Sequence, residues 1–100
     1  MKTLIDGLNK IFDSRIRLGI MAALSVNDAL DFNALKELLD ITDGNLASHL
    51  KTLEKHAFIE VKKQFVGRKP NTTFCITSSG QELFQQHLNA LERFINPLQT

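Results

Sequence analysis

Between Thr42 and Lys55 a run of small, polar and basic residues is interleaved with Leu46, Leu50 and Leu53. If those leucines are the buried stripe of a helix advancing about 100° per residue, the opposite side presents Gly44, Asn45, Ser48, Lys51, Thr52 and Lys55. These are groups that read a nucleic-acid groove. An asparagine amide pairs bidentately with adenine, Ser48 and Thr52 give or accept one bond each, lysines neutralise phosphate, and small residues admit close approach. An ordinary solvated helix face has similar composition, so the helix alone does not decide. A second basic segment follows it, Gly67-Arg68-Lys69-Pro70-Asn71, with glycine, proline and asparagine in turn positions.

Other chemistries find little support. There is no glycine-rich phosphate loop, nucleophile elbow or His-Glu-x-x-His, and the acidic residues stand singly, so no enzyme is expected. Cys75, the only cysteine, excludes an intrachain disulfide and a multi-thiolate zinc site. It reads as a small hydrophobe in a strand rather than a thiol sensor. His49 and His56 lie roughly 10 Å apart along one helix, too far to share one ion. With His87 on a different helix, no metal and no cofactor are expected. His49 has two open readings, at the edge of the polar face or as a partly buried imidazole beside Leu50.

The elements that must position these residues can be read from periodicity. Ile5, Leu8, Phe12, Ile16, Ile20 and Leu24 recur every three or four residues and predict one long helix over about residues 3–25. Leu30-Asp31-Phe32, a candidate short third strand near 30–32, precedes a short helix with Leu35, Leu38 and Leu39. Asp31 or Asn33 is its N-cap, and in the first case Leu30 and Leu35 form a hydrophobic staple. Thr42 is placed to cap the next helix, with Asp43 in its first turn, so a helix-turn-helix is expected over about residues 33–57. From Ile59 the period becomes alternating, with Ile59, Val61 and Phe65 on one face, and again from Thr72 with Phe74 and Ile76 inward. This predicts a hairpin over about residues 59–77. Thr77-Ser78-Ser79-Gly80 offers several caps, Ser79 and Glu82 at capping-box spacing, for a last helix over about residues 78–96.

The fold class is therefore mainly α with a small β-hairpin wing, in the order helix, helix, helix, hairpin, helix. One hundred residues with 43% hydrophobic and 23% charged content read as a single domain spanning 1–100. The net charge of +1 hides an asymmetry: from Thr42 to Thr73, Lys51, Lys55, Lys62, Lys63, Arg68 and Lys69 face only Asp43, Glu54 and Glu60. Asp6 and Asp13 interrupt the apolar N-terminus, so no signal peptide or membrane span is expected and the default address is the cytoplasm.

The segments Asp31-Phe32-Asn33-Ala34-Leu35-Lys36, Thr42-Asp43-Gly44-Asn45-Leu46, Ser48-His49-Leu50, Leu53-Glu54 and Thr77-Ser78-Ser79-Gly80 resemble winged helix-turn-helix transcriptional regulators, in particular small ones related to the ArsR and MarR families. The resemblance covers nearly the whole chain. It implies a recognition segment from Thr42 to Thr52, a wing carrying Arg68, Lys69, Asn71 and Thr72, and a dimer formed by the first and last helices. The expected contacts to double-stranded DNA are Thr42, Gly44, Asn45, Ser48, His49, Lys51, Thr52, Lys55, Lys63, Arg68, Lys69, Asn71 and Thr72. The expected homodimer face is Ile5, Leu8, Phe12, Leu91, Phe94, Ile95 and Leu98. The cysteine clusters of ArsR-type metal sensors are missing, and no dedicated ligand pocket is legible, so any small-molecule effector stays open. The alternative is a winged helix that serves as a protein-interaction module without binding DNA.

Overall fold

In the computed structural model, which describes residue 3 and residues 5–96, the expected first helix is divided. A single 3₁₀ turn, Lys10–Phe12, precedes α1, Arg15–Ser25. Two polar side chains explain the break. Asn9 accepts from the Ile11 N–H (2.9 Å), and Ser14, in extended conformation, accepts from the Arg17 N–H (3.3 Å). Each starts a new helical segment by bonding locally to the backbone, which apolar spacing does not register. The break turns Phe12 inward, where its ring meets Phe58, Phe84 and His87 at centroid distances of 5.3, 5.5 and 5.3 Å. Phe12 therefore belongs to the monomer core and not to an exposed dimer face.

After β1 (Leu30–Asp31), α2 (Phe32–Leu39) and α3 (Asp43–Lys55) form the helix-turn-helix. The capping chemistry is local. Asp31 accepts from the Ala34 N–H (2.8 Å), Asp40 ends α2 in the left-handed region and donates its N–H to the Lys36 carbonyl (2.9 Å), and Thr42 accepts from the Asn45 N–H (3.2 Å). Leu46, Leu50 and Leu53 are buried with Ile20, Met21, Leu24 and Leu35 in the same core.

Helix α3 ends in a tight corner. Ala57 adopts φ +59°, the Phe58 N–H bonds to the Leu53 carbonyl (3.0 Å) and the Ala57 N–H to the Glu54 carbonyl (2.9 Å), the pairing of a Schellman motif. A side chain resists this conformation, and the corner is held from outside. The Ala57 carbonyl accepts from the hydroxyls of Thr77 (2.7 Å) and Ser79 (3.3 Å), and the Phe58 carbonyl accepts from the Thr77 N–H (3.1 Å). Thr77 also caps α4 (Ser78–Ile95) through the Gly80 N–H (2.9 Å), so the Ser79–Glu82 capping box gives way to a cap two residues earlier.

Strands β2 (Ile59–Val66) and β3 (Lys69–Ile76) pair antiparallel, and β1 adds to the far side of β3 through Leu30 opposite Phe74. The turn is shorter than expected: Gly67 and Arg68 alone close it, while Lys69, Pro70 and Asn71 are strand residues. Gly67 at φ +67° supplies the positive φ that the first position of a type II′ hairpin turn requires. Phe65 keeps the face assigned to it by alternation and is 74% exposed. The ribbon outruns the helices. Its base, with Ile59 and Phe74, is covered, whereas every residue from Lys62 to Pro70 is exposed.

Candidate nucleic-acid interface

Helix α3 turns its leucines inward and leaves Gly44, Asn45, Ser48, Lys51 and Lys55 exposed. Among the described residues no side chain of the last four makes a hydrogen bond or ion pair, so their bonding capacity is unspent. Two neighbours are partly committed, which sharpens their chemistry. The Thr52 hydroxyl donates to the Ser48 carbonyl (3.3 Å), so it faces outward as an acceptor only. The Thr42 oxygen is occupied by its cap, which leaves its hydroxyl proton to give.

His49 is half-buried and combines the two readings open to it in the sequence. Its Nδ1 lies 2.9 Å from Nη1 of Arg17, and arginine can only donate, so Nδ1 is the acceptor and the neutral ring carries its proton on Nε2. Burial and the Arg17 charge both hold its pKa below the ordinary histidine value. No described buried side-chain nitrogen or oxygen is unpaired, so the unbonded Nε2 is open to solvent as a donor. Arg17 is fixed in turn by its Nε, which donates to the Ile11 carbonyl (2.6 Å). Arg17 thus ties the start of α1 to the middle of α3, a role the sequence did not reveal. Lys36 was missed as well. It pairs with Asp43 at 2.7 Å across the turn and offsets the one carboxylate at the head of α3.

The wing distributes its expected contacts over two faces. Lys63 and Thr72 stand opposite each other on the face that carries Phe65, Asn71 and Lys69 lie on the other face with Lys62 and Gln64, and Arg68 occupies the turn. Lys63, Arg68 and Lys69 are exposed, Asn71 and Thr72 half-buried. No single flat surface can use all five.

Of the expected dimer face, Ile5 and Ile95 are 63% and 79% exposed, Phe94 is partly exposed, and Leu8 and Leu91 are half-buried; Leu98 lies outside the described residues. Ile5, Leu8, Leu18 and Leu91 line an open cleft of about 580 Å³ whose polar groups include Lys10, Arg15 and His87, a concavity the sequence did not announce. Cys75 is buried, and its thiol donates toward Glu60 Oε2 at 3.8 Å, so its neighbour is acidic rather than basic. The described residues hold no cluster of metal-ligating side chains and no helix long and apolar enough to cross a membrane.

A helix-turn-helix followed at once by a basic two-stranded hairpin, with a third strand pairing behind it, defines a winged helix-turn-helix protein. The chain belongs to the winged helix DNA-binding domain family, whose profile matches residues 16–95. It is 42% identical over 79 residues, 79% of its length and 86% of the other's, to an uncharacterized protein of Methanocaldococcus jannaschii. It is also similar to the transcriptional regulator homologue of Pyrococcus horikoshii, with a TM-score of 0.83 at 30% identity over 97% of this chain and 94% of that one. A protein of Enterococcus faecalis described as a MarR-family regulator shares the fold, with a TM-score of 0.76 at 21% identity over 89% and 79% of the two chains. The family and fold are those of DNA-binding transcriptional regulators, not of enzymes.

Proposed function

We propose that this DNA-binding regulator acts as a cytoplasmic homodimer that recognises a particular duplex sequence, with α3 in the major groove and the wing on the backbone or in the minor groove. The observation that carries this reading is the outward face of α3, where the side chains of Asn45, Ser48, Lys51 and Lys55 are exposed and, among the described residues, without partners. In the complex Asn45 takes a base edge, the Nε2–H of His49 donates, and Lys51 and Lys55 neutralise phosphate. A two-fold dimer presents two such helices to half-sites about 34 Å apart on one side of B-DNA. The cleft lined by Ile5, Leu8, Leu18 and Leu91, together with the exposed Phe94 and Ile95 further along α4, supports placing the dimer contact there. Regulation then follows from occupancy of a promoter and involves no chemistry.

The test is fluorescence anisotropy of a labelled mixed-sequence duplex at several salt concentrations, for the protein and for an Arg68→Ala/Lys69→Ala double variant. Wild-type affinity should fall steeply with salt, and the double variant should bind about tenfold more weakly with a slope flatter by nearly 2, at about 0.9 per phosphate contact. No binding at low salt would sink the DNA reading and leave a protein-interaction module. In sedimentation, an 11.3 kDa species alone at micromolar concentration would remove the dimer.

A further inference from the structure

The wing carries more than its charges. Phe65 is 74% and Val66 62% exposed, on opposite faces of a ribbon that no other part of the described chain covers. Phe65 stands directly opposite Pro70. Because Val66 and Lys69 close a two-residue turn as a hydrogen-bonded pair, Phe65 and Pro70 form the adjacent non-hydrogen-bonded pair, in which side chains are closest and the missing proline N–H loses no ladder bond. The two rings therefore make one apolar prow just behind the tip, with Arg68 in the turn, Lys63 on the same face, and Lys62 and Lys69 on the other.

This combination restricts the partner. An apolar protein groove would have to strip water from the surrounding cations, at high cost, and the winged helix DNA-binding family of this chain favours a duplex over an anionic lipid surface. A polyanion with an apolar interior satisfies both features at once, and duplex DNA has that construction: phosphates outside, stacked bases within. A two-stranded ribbon is too broad for a minor groove about 6 Å wide, whereas one flat ring leading it is not. We propose that Phe65, backed by Pro70, is a wedge that the wing drives into the minor groove, opening one base step while Arg68 and Lys63 hold phosphates beside it. The inference rests on the DNA-binding reading and adds to it. It makes the wing a bending device as well as an electrostatic one, and favours a pyrimidine–purine step, TA or CA/TG, beside each half-site because these unstack most readily.

The experiment uses the full chain and an alternating dA·dT duplex in which 2-aminopurine replaces one adenine per helical turn, so that a TA step is available in any register. Anisotropy reports binding, and 2-aminopurine emission reports unstacking separately. Wild-type protein should raise both. Phe65→Ala should bind with affinity reduced about tenfold or less and, at saturation, leave emission at the free-duplex value, while Phe65→Leu should keep most of the emission change. Binding without an emission change, or an unchanged emission rise with Phe65→Ala, would overturn the wedge. So would a drop of several degrees in the melting temperature of Phe65→Ala, since a ring this exposed in the monomer would then be packed in a self-contact. No anisotropy change even at low salt would defeat the DNA reading itself, and the wedge with it.

Discussion

Helices α3 and α4 each place a glycine in the first turn and a histidine further along, yet the fold uses the two pairs differently. In α4 both residues are consumed internally. Gly80 lies against the Phe58 backbone so closely that a Cβ would collide with the Phe58 carbonyl oxygen, and His87 Nδ1 accepts the Asn9 N–H at 3.0 Å with its ring against Phe12. In α3 a Cβ on Gly44 would meet nothing within 4 Å, and His49 spends one ring nitrogen on Arg17 and leaves the other outward. A glycine in a helix costs roughly 0.5–1 kcal/mol relative to alanine. Where packing explains that cost the residue belongs to the fold, and where packing does not, the reason has to come from outside the chain.

The largest test of this contrast is Gly80→Ala. The clash is with backbone already fixed by the Thr77 bonds, so it cannot be relieved by a rotamer change. A loss of about 3 kcal/mol is expected, lowering the melting temperature by roughly 10–20 °C in a domain of this size. A drop of only a degree or two would show that the α3–α4 corner yields, and would break the comparison.

His87 gives the next test, through pH. Burial lowers its pKa from the ordinary 6.5, opposed by the weaker pull of Asp13. Above that ordinary value the ring is neutral folded and unfolded, and its full contribution is present. As pH falls through the unfolded pKa, the unfolded chain takes up a proton that the folded one resists, so stability is lost toward the depressed folded value. The melting temperature should therefore decline between neutral and mildly acidic pH. His87→Asn, whose Oδ1 can replace Nδ1 as acceptor for the Asn9 N–H, should flatten the decline, with any residual slope shared by His49, whose pKa is lowered too.

His49 tests the outward half. Asparagine can reproduce the Nδ1 acceptor for Arg17 but does not reach the position of Nε2; glutamine reaches that position with a donor but abandons Arg17. His49→Asn should melt like the wild type and bind duplex DNA about fivefold to tenfold more weakly, as befits the loss of one groove bond. His49→Gln should keep more of the affinity and lose stability instead. If both variants bind as the wild type does, His49 is not at the DNA surface.

What was legible in the sequence follows the same division between local and tertiary causes. Thr42, Asp31 and the Leu46–Leu50–Leu53 stripe act within a turn or two of themselves, so the helix-turn-helix could be read from spacing and caps. The continuous helix over about residues 3–25 failed because apolar spacing persists through Asn9 and Ser14, whose side chains restart the helix there. The exposure of Phe65 was not legible for another reason: alternation assigns a face, correctly here, but burial depends on how far the helices reach along the ribbon. Arg17–His49 and Lys36–Asp43 bring together separate elements, and no periodicity encodes such pairs.

The smallest effect, and the most discriminating in sign, belongs to Gly44→Ala. Its backbone has ordinary helical φ and its missing Cβ would sit in open space, so alanine adds no strain and removes conformational freedom from the unfolded chain. The substitution should stabilise the protein by about 0.5–1 kcal/mol. If α3 lies in a major groove, the added methyl falls where the helix meets the DNA in its first turn, and affinity should fall by about threefold to tenfold while the melting temperature rises. A purely structural glycine cannot produce opposite signs in the two measurements. A rise in stability with unchanged affinity would place the first turn of α3 away from the DNA and shift the burden of recognition to Ser48, His49 and Thr52, one and two turns further along the helix.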